Sequence, residues 1–255
     1  MVRGFYSAAS GVFSRQKSFN TISNNMSNVS TAGYKSQSTI ESSFGEHLVS
    51  KLNSMNAGSC VNIGKGSFLT ANIGEYTDLN QGAFEQTGRN LDMAINGEGY
   101  FLIDSSSNGE VLTRNGQFEM DQEGYLVLSG VGKVLNKEGT PILINNSNFS
   151  VDSNGVIREQ DEDKIIDSLF IAVPGEGSTL KMVGEGTFQC SGGFIPGEEK
   201  SYQLVQGSIE KSNINIAQEM SRMIAGQNHF QSCIQLLKIY DKINELSANQ
   251  IGRIG

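Results

Sequence analysis

The side chains that could carry out chemistry are few, and their spacing does not suit it. His47 and His229 are the two histidines. Neither has a cysteine or histidine at metal-ligand spacing, and no H-E-x-x-H occurs, so both read as surface residues. Cys60, Cys190 and Cys233 are odd in number and widely separated. That argues against a disulfide framework or a CxxC metal site and reads as plain small apolar packing. Gly64-Lys65-Gly66-Ser67 has part of a phosphate loop, but position 59 is not glycine and Gly66 stands where a magnesium-binding hydroxyl belongs. Gly97-Glu98-Gly99 lacks the third glycine of a dinucleotide loop, because position 102 is Leu. Both are expected to be turns. No Gly-x-Ser-x-Gly elbow is present. Asp92 and Asp104 flank apolar runs and are the best carboxylates for acid–base work, though spacing alone does not pair them. The acidic stretch Glu159 to Asp163 lacks EF-hand spacing and reads as a solvated turn. No catalytic, cofactor or metal site emerges, and the chain reads as a non-enzyme.

Composition narrows the partners. The net charge is −8 with no basic block, which speaks against nucleic acid. No run approaches the roughly 18 apolar residues needed to span a membrane. The stretch Met1 to Tyr6 has no apolar core and no cleavage site of a secretory signal. The 255 residues include 30 glycines but only 3 prolines. Much of the glycine lies between residues 58 and 207, interleaved with short apolar runs.

Two stretches must position whatever the chain does. From Ile214 to Ile251 there is no proline and one glycine, Gly226. Apolar residues recur at Ile216, Met220, Met223, Ile224, Phe230, Ile234 and Leu237, then Tyr240, Ile243 and Leu246, which is helical periodicity. Residues 4 to 29 repeat the pattern with Phe5, Ala8, Ala9, Val12, Phe19, Ile22, Met26 and Val29. Gly33 then suits the left-handed position after a helix. Their polar faces are Ser-, Asn- and Gln-rich rather than basic, which disfavours a membrane surface. Narrow stripes of this kind can pair as a coiled coil.

Between them the period changes. Residues 34 to 63 read as an extended connection with a short helix near Glu41 to Leu52. From Gly64 to Gln206, short apolar runs alternate with turn residues about every ten positions, including Asn96-Gly97, Asn115-Gly116 and Ser129-Gly130. The expected fold class is therefore α+β: long N- and C-terminal helices paired as a coiled coil, with a central β-rich meander or sandwich. The expected division is 1–34 (N-terminal helix), 35–63 (connector), 64–206 (β-rich domain) and 207–255 (C-terminal helix).

Four stretches carry a resemblance. They are Asn24-Asn25-Met26-Ser27-Asn28 through Thr31-Ala32-Gly33-Tyr34-Lys35; Thr87-Gly88-Arg89-Asn90-Leu91-Asp92 through Gly97-Glu98-Gly99-Tyr100-Phe101; Thr113-Arg114-Asn115-Gly116-Gln117-Phe118; and Gly207-Ser208-Ile209-Glu210-Lys211-Ser212-Asn213-Ile214. Read in order, they resemble the rod and hook-basal-body proteins of the bacterial flagellum. The motif positions carried over are Asn24, Asn25, Asn28, Gly33, Tyr34, Lys35, Thr87, Gly88, Leu91, Asp92, Gly97, Gly99 and Phe101. One departure is Ala225-Gly226-Gln227-Asn228-His229-Phe230-Gln231, where the family usually has "A-Q-R-A-[FY]-E". Gly226 within a helix costs about 1 kcal/mol relative to Ala.

The resemblance implies a structural subunit without a cofactor. It would be exported unfolded by the flagellar type III apparatus, polymerise with itself and carry motor torque to the hook. Its partners would be further copies, adjacent rod and hook proteins and the export apparatus. Its location would be the basal body, outside the cytoplasmic membrane in the periplasm and cell wall. The expected assembly interface is Phe5, Val12, Phe19, Ile22, Met26, Val29, Ile216, Met220, Met223, Phe230, Ile234, Leu237 and Ile243. Two rival readings remain: a secreted oligomeric β-domain binding module, favoured by small closed oligomers, and a peptidoglycan-acting enzyme, favoured by wall hydrolysis.

Overall fold

A computed structural model describes residues 2–52, 60–107, 109–145, 148–159, 164–184, 186–198 and 201–251, with side chains for all of these except 2–3, 43–52, 60–71 and 250–251. The chain divides into two compact units. One contains residues 1–26, 37–76 and 215–255; the other contains 27–36 and 77–214.

The first unit holds the two long helices. Helix α1 is Val2–Ser27 and helix α2 is Ile216–Ile251, 26 and 36 residues long. At about 1.5 Å per residue they extend roughly 39 and 54 Å. Asn215 caps α2: its Oδ1 accepts the Gln218 N–H at 3.2 Å, satisfying one of the free donors of the first turn. Glu219 places a negative charge in that turn, complementing the helix dipole. Helix α1 stops at Ser27, short of Val29, and residues 207–210 are not helical, contrary to expectation.

The short helix expected near Glu41 to Leu52 is absent. Strand β1 (Gln37–Leu52) instead pairs with strand β2 (Cys60–Thr77). Ser38, Thr39, Ile40, Ser42 and Ser43 are hydroxyl and β-branched residues, which form helices poorly and tolerate extended backbone. Gly64-Lys65-Gly66-Ser67, expected as a turn, lies within β2. Pairing with a neighbouring strand there outweighs the glycines' local preference. The 63/64 boundary also falls inside β2. The strands hold α1 through polar contacts. Arg15 pairs with Glu41 at 3.1 Å, and the Ser14 hydroxyl lies 2.9 Å from the same carboxylate. The Asn25 side chain brackets one backbone unit, donating to the Gln37 carbonyl (2.7 Å) and accepting the Gln37 N–H (3.0 Å).

The second unit is the β-rich one. It includes β3 (Phe84–Gln86), β4 (Met93–Gly97), β5 (Tyr100–Ser105) and β6 (Gly109–Thr113). Strand β5 lies inside a nine-stranded sheet and pairs with β6, Gly132–Val134 and Ile171–Pro174, all antiparallel. Its side chains alternate between two cores. Phe101 and Ile103 enter one, and Tyr100 and Leu102 the other. That explains its unbroken apolar run, since a strand covered on both faces has no polar side. Phe101 and Phe118 meet edge to face at 5.0 Å.

The hairpin expectation holds for Ser105 to Gly109, which joins β5 to β6, and for Ser129-Gly130. It fails at Asn96-Gly97 and Asn115-Gly116, because the flanking strands do not pair with each other. Those glycines serve close backbone approach instead. A Cβ at Gly97 would overlap the Ser201 carbonyl, and one at Gly116 the Met93 carbonyl.

The end of this unit folds back on its beginning. Tyr202–Gln206 pairs antiparallel with β4, and Ser208–Glu210 with β3. This register sets Tyr202 opposite Gly97 and Glu210 opposite Phe84. Residues more than a hundred positions apart thereby share one edge of the unit.

Candidate functional site

The helix pair is the first region to weigh, because the expected interface lies there. The helices run antiparallel. A Cβ on Gly4 would overlap the Tyr240 hydroxyl, and one on Gly11 would lie 3.3 Å from Cys233 Sγ. Seven residues separate the partners on each helix, so small residues on α1 receive the ends of larger ones on α2. Packing elsewhere is loose. A cleft of about 440 Å³ is lined in part by Phe19, Gly226, Phe230 and Ile234. A second cavity of about 370 Å³, lined in part by Thr21, Ile22, Glu219, Arg222 and His229, lies between the helices and β1. Apart from the adjoining turns of its own helix, no heavy atom comes within 4 Å of a Cβ built on Gly226.

Of the thirteen expected interface residues, only Ile22 is buried. Phe19, Phe230 and Ile234 are brought together at the cleft. Val12, Met26, Val29, Met223 and Leu237 are half-buried, while Phe5, Ile216, Met220 and Ile243 are exposed. The stripes therefore do not close on each other within one subunit. The exposed apolar residues Ile224, Leu236, Ile239 and Leu246 continue that open surface along α2.

The second region is tightly closed. Lys35, Arg114 and Glu210 come from three remote segments and meet inside the β-rich unit. Lys35 Nζ lies 2.6 Å from Glu210 Oε1, with the two side chains 1% and 0% exposed. Arg114 Nη1 lies 3.2 Å from Glu210 Oε2. The Gly82 N–H also donates to Oε1, at 2.9 Å. Lys35 donates further to the Asn80 carbonyl (2.8 Å), and Arg114 to the carbonyls of Ile95 (3.2 Å) and Gly97 (2.7 Å). The guanidinium stacks over the Tyr100 ring at 5.0 Å. Backbone geometry completes the approach. Gly33 has φ +67°, its amide donates to the Glu210 carbonyl at 2.7 Å, and a Cβ there would overlap the Arg114–Asn115 backbone.

Two cations share one carboxylate, so the cluster carries excess positive charge in a buried place. Burial pulls the Lys35 ammonium below its ordinary value of 10.5, more than its hydrogen bond and charge pairing with Glu210 raise it, and Arg114 lowers it further. Burial also raises the Tyr100 phenol above 10.0. Beside the cluster, Asn213 ties together the backbone at residue 36 and at residues 78–80. Its Oδ1 accepts the Ser36 N–H (2.8 Å), and its Nδ2 donates to the carbonyls of Asp78 (2.8 Å) and Asn80 (3.1 Å).

Tyr34 and Phe101 are buried, and Leu91 packs on the larger core. Asn28 Oδ1 accepts the Thr31 hydroxyl at 3.2 Å, while Asn24 is exposed. The amides of Thr87 and Gly88 both donate to the Gly207 carbonyl. Gly88, Gly97 and Gly99 have positive φ, and a Cβ on Gly99 would overlap the Ile171 side chain. Asp92 is buried with Arg89 Nη1 3.8 Å away, and Asp104 is exposed. These two carboxylates are not drawn into one site. His229 is exposed, Cys190 and Cys233 are free thiols, and the side chains of His47 and Cys60 lie outside the described residues, as do residues 160–163 of the acidic turn.

Sequence reasoning placed Arg114, Glu210 and Asn213 within stretches that carry the family resemblance but assigned none of them a role. A signal existed: only 18% of residues are charged, yet Arg114 and Glu210 directly adjoin strand-forming runs.

The chain is similar in sequence to known proteins. The family described as "Flagella basal body rod protein" matches residues 5–35. "Flagellar hook protein FlgE/F/G D1 domain" matches 94–159, and "Flagellar basal body rod FlgEFG protein C-terminal" matches 205–251. Lys35, Arg114 and Glu210 fall one in each matched stretch. The flagellar basal-body rod protein FlgG of Bacillus subtilis is 30% identical over 95% of this chain and 97% of its own length. FlgG of Borreliella burgdorferi is 28% identical over 99% and 97%, respectively. The flagellar basal-body rod protein FlgF of Mesorhizobium japonicum is 27% identical over 93% of each chain.

Proposed function

Because this chain belongs to the family of flagellar hook and basal-body rod proteins, we propose that it is a rod subunit that polymerises helically with its own copies and transmits motor torque toward the hook. Proteins of this family are structural components of the flagellar basal body that serve motility, and this chain is not an enzyme. No helix among the described residues is long and apolar enough to cross a membrane.

In this reading the terminal helices form the inner layer of a tube, paired as a coiled coil and packed against the helices of neighbouring copies. The terminal helices are the axial elements, and the β-rich unit of residues 27–36 and 77–214 is the outer body. Phe5, Val12, Phe19, Ile22, Met26, Val29, Ile216, Met220, Met223, Phe230, Ile234, Leu237 and Ile243 carry the assembly contacts. Neighbouring rod and hook proteins are the other partners. The subunit leaves the cell unfolded through the flagellar type III apparatus and works in the periplasm and cell wall.

The observation that supports this most is the combination of an apolar helix surface left open with segments adjoining both helices held at one buried cluster. A subunit that carries mechanical load needs a surface to join neighbours and a firmly folded body. Deleting the gene in its own bacterium should abolish motility, and the full-length chain should restore it and be recovered in purified basal bodies. A motile deletion strain with hooks of normal structure contradicts the proposal.

A further inference from the structure

We infer that the Lys35–Glu210–Arg114 cluster is a coincidence lock: it fixes the segments adjoining both terminal helices, and does so only once the β-rich unit has closed. Residues 28–36 follow α1, and residues 208–214 precede α2. Glu210 reaches both Lys35 and Arg114, which lie 175 and 96 positions away in the chain. Its backbone carbonyl holds Gly33, and its carboxylate holds Gly82. Each charge alone would be a buried ion without a partner. The segment after α1 therefore cannot dock before Glu210 arrives, and Glu210 cannot be buried before β4 and β6 have placed Arg114 and the carbonyls of Ile95 and Gly97.

A buried ion cluster adds little net stability compared with well-packed apolar residues. What it adds here is conditionality, because docking of the two segments and closure of the β unit become one cooperative step. In the rod-subunit reading, this keeps a partly folded chain from presenting both helices at their working spacing. That purpose rests on the rod-subunit reading; the lock itself does not.

Native-state hydrogen exchange on the full-length chain tests the lock. The amides of Gly33, Ser36 and Lys211 report on the docked segments, and those of Met93 and Leu204 on the β unit. The hydrogen-bond acceptors of all five survive the substitutions that follow. In the wild-type chain the five should exchange through a common opening. In a Lys35→Met, Arg114→Met, Glu210→Leu variant the segment amides should exchange at least about tenfold faster, while Met93 and Leu204 change by less than about threefold. If that variant does not fold, the Lys35→Met, Glu210→Gln pair takes its place, with Arg114 still held by the carbonyls of Ile95 and Gly97. Segment amides that open independently in the wild type, or that stay as slow as the β unit in the folded variant, overturn the lock. A wild-type chain that shows the common opening yet fails to restore motility counts against the rod-subunit reading and leaves the lock standing.

Discussion

The buried charge cluster and the helix pair are opposites in the same chain. Around Glu210, among the described residues, three segments close until both ionic partners of its carboxylate are within 3.2 Å. Between α1 and α2, clefts of about 440 and 370 Å³ remain, and large apolar side chains face outward. The difference shows where this protein is finished. The β-rich unit closes two apolar cores of its own, whereas the helix pair leaves apolar surface whose burial would be favourable at about 25 cal/mol per Å². A long helix with one thinly covered side gains most of its stability from whatever packs on it.

The largest effect should come from the closed region. Glu210→Gln leaves Lys35 and Arg114 buried without a counter-charge. Breaking such a pair costs about 3–5 kcal/mol, a large part of a domain's stability. Urea unfolding followed by β-type circular dichroism should show the loss, and a midpoint near wild type would mean that the cluster is not as dry as its burial indicates. Ile234→Asp should behave in the opposite way. It should abolish assembly and motility while changing the stability of the β-rich unit by less than about 0.5 kcal/mol. Motile cells with normal rods would remove Ile234 from the interface.

Gly226→Ala sharpens the contrast further. The helix interior should gain about 1 kcal/mol, because alanine is the better helix former and a methyl group there meets nothing within 4 Å beyond its own helix backbone. The thermal helix signal of the isolated subunit would register it. Rods that then fail to form would assign the empty space at Gly226 to a neighbouring copy, and normal rods would make the glycine a tolerated weakness.

The smallest effect is a pH dependence. Lys35 has its value lowered from 10.5, so between the two values the unfolded chain holds the extra proton and the stability of the β unit rises with pH. Tyr100 acts oppositely above pH 10, where the folded unit keeps a phenol proton that the unfolded chain loses. The urea midpoint should therefore climb as pH approaches 10 and then fall. Lys35→Met should remove the climb.

The terminal helices were readable in the chain because a 3.6-residue period is local, and so were the apolar runs of the β-rich unit. The cluster was not, since it depends on which strands pair across 96 and 175 residues, and no local pattern carries that. The β1–β2 pair was hidden by its Ser- and Gly-rich composition, which resembles a linker. Phe19, Phe230 and Ile234 were legible as apolar stripe positions. That they line an open cleft was not, because a stripe says which residues seek cover and not whether cover is present in the same chain.

The central claim is that the β-rich unit is complete in one subunit and the helix pair is not. Hydrogen exchange of the purified full-length monomer, compared with the same chain in assembled rods, tests it most directly. In the monomer, amides within Ile216–Ile251 should exchange at least about a hundredfold faster than those of Tyr202–Gln206, and in rods they should slow by a similar factor while the strand amides hold their rate. Monomer helices as slow to exchange as Tyr202–Gln206 would contradict it.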